Sequence, residues 1–146
     1  MAANKSDILR ISIAAIALLI GGFIYIIFRP ETLIMFSWFD SLGMSNIINK
    51  LRNSYGDNSI YSWIKYNMPA ALWLFSYLYV IDAIWTGNKN TILYKSFLLL
   101  MPCIAVVSEF MQLFRIIPGT YDTMDVVSYI FAIIIFYIIN NKHFIL

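Results

Sequence analysis

The chain has 146 residues, of which 61% are hydrophobic and 12% charged, with a formal net charge of +2. The apolar fraction exceeds the roughly 45–50% usual for soluble proteins, and the length is that of one domain covering residues 1–146. No basic tract points to nucleic acid, the lone Cys103 excludes an internal disulfide, no Cys/His cluster suggests zinc, and the only histidine, His143, leaves a histidine-based hydrolase little to work with.

Long apolar runs decide the class. About 20 residues rising 1.5 Å each cross a hydrocarbon core of about 30 Å. Four spans are expected, giving an all-α, polytopic membrane protein. The first covers residues 8–28, with Lys5 and Arg10 near its start and Arg29-Pro30 after it. The run is too long for the apolar core of a signal peptide, and no small-x-small cleavage site follows. Gly21-Gly22 is expected to let another helix approach closely. In the long segment of residues 29–67, the first half, "PETLIMFSWFDSLGMSNIINKLRN", mixes apolar and polar positions at roughly helical spacing. An interfacial amphipathic helix is expected there, using Leu33, Phe36, Ile47, Ile48 and Leu51, with Trp38 at headgroup level. "NSYGDNS" reads as a turn.

The second span covers residues 68–85, with Pro69 in its first turn, where a missing N–H is no loss. Along it Ser76, Tyr79 and Asp82 follow at three-residue steps. They read either as a polar stripe towards the bundle interior or, for Asp82 beside Trp85, as an interfacial anchor. Asn67, Trp73 and Ser76 share a face that could line the mouth of a cleft, although Trp73 reads better as core. The third span covers residues 92–114, with Pro102 expected to kink it. "IIPGT" then predicts a type II turn centred on Pro118-Gly119. The fourth span covers residues 124–140, capped by Asp122 or Thr123. The last two spans therefore form an antiparallel hairpin. Basic residues divide five against five between the two sides, so the positive-inside rule decides nothing. A cytoplasmic basic N-terminus puts both termini in the cytoplasm and the Pro-Gly turn outside.

Residues 109–125, "EFMQLFRIIPGTYDTMD", gather a disproportionate share of the few ionisable groups. Glu109 and Gln112 share a helix face, as do Asp122 and Asp125, and Ser128 continues the latter. Ser108 and Arg115 lie near the first stripe. An ionisable group more than a turn inside a span should face protein or water, and is a functional-site hypothesis by default. The hairpin should bring Glu109, Gln112, Arg115, Asp122, Asp125 and Ser128 to one membrane face. The purely structural alternatives are a Glu109 pair with Arg115 or a lysine, and acidic residues placed at a helix start to suit its dipole.

At this cluster the sequence resembles the VanZ-like family of small bacterial membrane proteins. The shared features are Glu109 and Gln112 closing one span, Pro118-Gly119, and Asp125 opening the next. "IIFRPETL" and "NMPAALW" also look like the family. Thr120 and Ala70 depart from it, where many members carry a basic and an acidic residue. The resemblance implies four or five helices in the bacterial plasma membrane and low-level glycopeptide resistance, in particular to teicoplanin.

Three functions are in view. The acidic pocket binds a cationic or sugar-bearing amphiphile, such as a lipid-linked envelope precursor or a lipoglycopeptide, with its acyl part in contact with membrane lipid and the spans. Alternatively, paired carboxylates act on a lipid-linked (pyro)phosphate or glycolipid, as acid and base or around Mg²⁺. Or the chain is an accessory subunit with a protein partner or a homo-oligomer. No cofactor is expected.

Overall fold

The computed structural model describes residues 5–55 and 62–142, and among them the protein is all-α. Seven helices follow in order: α1 (Lys5–Phe28), α2 (Ile34–Ser41), α3 (Ser45–Tyr55), α4 (Ser62–Tyr66), α5 (Met68–Ile84), α6 (Ile92–Leu113) and α7 (Thr123–Lys142). Of these α1, α6 and α7 are long and apolar enough to cross a membrane. α5 has the composition but only 17 residues, about 25 Å of helix. It is nearly continuous with α4. The Asn67 N–H bonds the Trp63 carbonyl at 2.9 Å, and the Ala71 N–H bonds that of Asn67 at 3.2 Å, so i→i−4 bonds flank the junction on both sides, with Pro69 between them.

α5 is the centre of the bundle and packs on α1, α4, α6 and α7. Its closest neighbour is α1, whose buried residues are the small Ala14, Ala17 and Gly21, with Ile27 near its end. Leu19 and Ile16 of the same helix are 71% and 57% exposed. Small residues inward and large aliphatics outward reverse the pattern of a soluble helix and suit packing within lipid. A Cβ on Gly21 would sit 3.3 Å from Leu72 Cβ and from the Pro69 carbonyl oxygen, so of the glycine pair it is Gly21 that lies at the α1–α5 contact; Gly22 faces open space. The core is built around α5, from Leu74, Leu78 and Tyr79 against Leu98, Ala105, Tyr129 and Phe136.

The expected interfacial segment is three helices. α2 ends in a Schellman motif: the Met44 N–H bonds Phe39 O and the Gly43 N–H bonds Asp40 O, both at 2.9 Å, with Gly43 at φ 70°. Phe36 and Ile48 are buried, whereas Ile34, Trp38 and Ile47 face outward. Arg52 fastens α3 to the end of α1. Its Nη1 donates to the carbonyls of Ile26 at 2.6 Å and Arg29 at 2.9 Å, which the helix end leaves unpaired. Its Nε lies 3.2 Å from Glu31. The turn expected over "NSYGDNS" does not begin where the composition placed it, because Asn53, Ser54 and Tyr55 complete α3; residues 56–61 and His143 lie outside the described residues.

α6 runs unbroken through Pro102. It ends in a second Schellman motif, with the Ile116 N–H on Met111 O at 2.8 Å and the Arg115 N–H on Gln112 O at 2.9 Å. Arg115 takes the left-handed position at φ 58°, where glycine is usual. This motif, and not a hydrogen-bonded type II turn at Pro118-Gly119, begins the reversal. Gly119 completes it at φ 141°. Gln112 fills the space a Gly119 side chain would need, with its Cδ 2.6 Å from an ideal Cβ.

Two polar clusters at opposite ends of α5

Asp82 and Asn67 stand 15 residues apart at the two ends of α5, about 22 Å along its axis. Asp82 is fully buried. Its Oδ1 lies 2.6 Å from Lys89 Nζ and accepts from Tyr94 OH at 2.9 Å. Its Oδ2 faces Arg10 Nε at 3.1 Å. Arg10 Nη1 also donates to Thr86, whose hydroxyl reaches Asp7. Ser76, Tyr79 and Asp82 are all buried, so the three-residue stripe faces the interior, not the interface. Two cations meet this carboxylate, and the cluster ties α1, α5 and α6 together.

The other end is wired differently. Asp122 caps α7, accepting from the Met124 N–H at 2.8 Å through Oδ1. Its Oδ2 accepts from Asn67 Nδ2 at 2.8 Å. Its own N–H donates to Glu109 Oε2 at 3.3 Å. One residue thereby joins α5, α6 and α7. The same Asn67 Nδ2 donates to Asp125 Oδ1 at 2.9 Å. Trp63 Nε1 donates to the buried Ser128 hydroxyl at 2.8 Å. Among the described residues, neither Glu109, Asp122 nor Asp125 has an ion-pair partner.

These groups border a cleft of about 480 Å³, lined by Arg29, Trp63, Tyr66, Asn67, Asp122 and Asp125 among others. The expected residues separate into roles. Asp122 and Asp125 line the cleft. Glu109, 4% exposed, lies behind the wall and holds the Asp122 backbone. Ser128 anchors Trp63, and Gln112 braces Gly119. Arg115 is exposed at the helix end and lies outside the lining. The Glu109–Arg115 pair weighed from the sequence does not form among the described residues.

Sequence reasoning missed Arg29, Trp63 and Tyr66. Arg29 Nη2 donates to Tyr66 O at 3.0 Å, and its guanidinium lies over the Tyr25 and Tyr66 rings at 5.2 and 5.6 Å. Its Nε is buried without a hydrogen bond. Arg29-Pro30 read as a span flank, and only side-chain direction makes it a cleft residue. Trp73, read as core, is 48% exposed. It walls an apolar groove of about 350 Å³ with Leu18, Gly21, Gly22, Tyr25, Pro69 and, again, Arg29. Among the described residues no three His, Cys, Asp or Glu side chains are grouped to hold a metal ion.

Fold and site together define an all-α protein with three helices fit to cross a membrane and an acidic cleft at one end of the bundle. Compared with known proteins, the chain matches no family model, no curated protein and no solved structure.

Proposed function

We propose that this is a VanZ-like, multi-pass protein of the bacterial plasma membrane that binds the cationic or sugar-bearing head of an amphiphile in the acidic cleft. A lipid-linked envelope precursor or a lipoglycopeptide fits that description, and low-level teicoplanin resistance is the outcome. The observation that supports this reading is the contrast between the two ends of α5. Asp82 is matched by Arg10 and Lys89. The carboxylates at the other end have an amide and backbone N–H groups but no ion pair among the described residues, and they share an open cleft with Arg29. Three carboxylates without an ion pair, against the single guanidinium of Arg29 in the cleft lining, favour a cationic visitor.

In this reading four spans cross the bilayer. The fourth is α4 with α5, which together run 23 residues from Ser62 to Ile84, about 34 Å. Both termini lie in the cytoplasm and the cleft faces outside. The metal-dependent form of the enzyme reading has less to stand on, since among the described residues no three His, Cys, Asp or Glu side chains are grouped to hold an ion.

The test is Asp125→Asn in cells challenged with teicoplanin, with membrane abundance measured in parallel. Resistance should be lost at normal abundance. Full resistance in that variant would remove the cleft from the function. A stoichiometric protein partner that co-purifies with the wild type and is lost in the variant would instead favour the accessory-subunit reading.

A further inference from the structure

We infer that the acidic cleft and the groove between α1 and α5 form one site for a phospholipid whose head ends in a primary ammonium, of the phosphatidylethanolamine type. The inference rests on the reading of the cleft as an amphiphile site and names what normally occupies it.

Arg29 is the hinge of the argument, because it lines both spaces. On one side the groove offers Leu18, Gly21, Tyr25 and Trp73, an apolar surface. On the other the cleft offers Asp122 and Asp125. The order along the protein is apolar, cationic, anionic. An aminophospholipid presents acyl chain, phosphate and ammonium in that same order. Depth agrees too. From Leu18 to Arg29 is about 16 Å of helix, close to the half-thickness of about 15 Å of a hydrocarbon core. An acyl chain in the groove thus places its phosphate at Arg29.

The donors and acceptors fit. Arg29 forms no ion pair among the described residues, and its Nε has no hydrogen bond. The Tyr25 and Tyr66 rings hold its plane, which suits bidentate contact with phosphate oxygens. Asp122 uses both carboxylate oxygens within the protein. Asp125 uses Oδ1 for Asn67, and no hydrogen bond reaches its Oδ2 among the described residues. A primary ammonium brings three N–H donors to that oxygen and its neighbours. A trimethylammonium brings none. A glycerol head brings no positive charge to offset the carboxylates.

The experiment uses the full chain, purified in mild detergent and incubated with phosphatidylethanolamine, phosphatidylcholine and phosphatidylglycerol of identical acyl chains. Retained lipid is read by native mass spectrometry. The wild type should retain phosphatidylethanolamine over phosphatidylcholine by about tenfold, the worth of one charge-assisted hydrogen bond. Stepwise N-methylation of the head should erode the preference in order, a series that needs no variant. Asp125→Asn should bring the two lipids near parity, and Arg29→Gln should weaken all three. Equal retention by the wild type, or a preference for phosphatidylglycerol, overturns the inference. If either occurs while teicoplanin resistance still depends on Asp125, the proposed function stands without it. If the lipid preference holds and resistance ignores Asp125→Asn, the glycopeptide role falls and the lipid site remains.

Discussion

Lys89 Nζ meets the fully buried Asp82 carboxylate at 2.6 Å, on the turn that joins α5 to α6. Removing the acid strands two cations, Arg10 and Lys89, whose side chains are only 16% and 19% exposed. Breaking a buried pair by deleting one partner costs about 3–5 kcal/mol. Asp82→Ala should therefore lower the thermal midpoint in detergent more than any cleft substitution. A shift of a degree or less would show that the network contributes nothing to the bundle.

Asn67 is the shared donor of Asp122 and Asp125. Asn67→Ala leaves two neighbouring carboxylates facing each other and removes two charge-assisted hydrogen bonds, at a cost of about 2–4 kcal/mol. Asn67→Asp should be worse, since it adds a third charge and no donor. Unfolding of the two variants against wild type checks the ranking, and an Asp variant as stable as the Ala variant contradicts it.

The glycine pair should behave asymmetrically. Gly21→Leu drives a side chain into Leu72 and the Pro69 backbone, and Gly22→Leu points into open space. The first should destabilise by about 1–3 kcal/mol, and the second should stay within about 0.5 kcal/mol of wild type. Similar melting curves for both would mean that α1 does not seat against α5 through Gly21.

Arg115→Gly should stabilise. A non-glycine residue at φ 58° carries a left-handed cost of about 1 kcal/mol, and its side chain makes no hydrogen bond or ion pair among the described residues. A gain of about 0.5–1 kcal/mol is expected on chemical unfolding. A loss would reveal a role for the guanidinium at the end of α6.

Sidedness follows from the proposed orientation. Thr120 is exposed at the reversal between α6 and α7. Thr120→Cys, in a Cys103→Ser background, should react with a membrane-impermeant maleimide in intact cells. Labelling only after lysis would turn the topology over.

The hairpin and its acids were legible in the sequence, because three-residue spacing on either side of a Pro-Gly pair determines which side chains can meet. The cap of α7 was narrowed to Asp122 or Thr123 by position before an apolar run, and the Met124 N–H bond settles it on Asp122. Arg29 was not legible in the same way. A basic residue after a span reads as an anchor, and its place in the cleft depends on how closely α1 seats against α5, a tertiary fact with Gly21 at the contact. Trp73 misled for a related reason. Size and apolarity argue for a core, but Trp73 stands beside Gly21 and Gly22 of α1, whose missing side chains leave an open groove that it walls. The second span was placed from residue 68, where α5 begins, but α4 was not read, because five residues are too few to show a helical period.

Arg52 holds the carbonyls of Ile26 and Arg29 from α3, so the end of α1 that brings Arg29 to the cleft is fastened to α3. In the proposed membrane setting, a displacement of α3 would act through Arg52 on the backbone at residue 29.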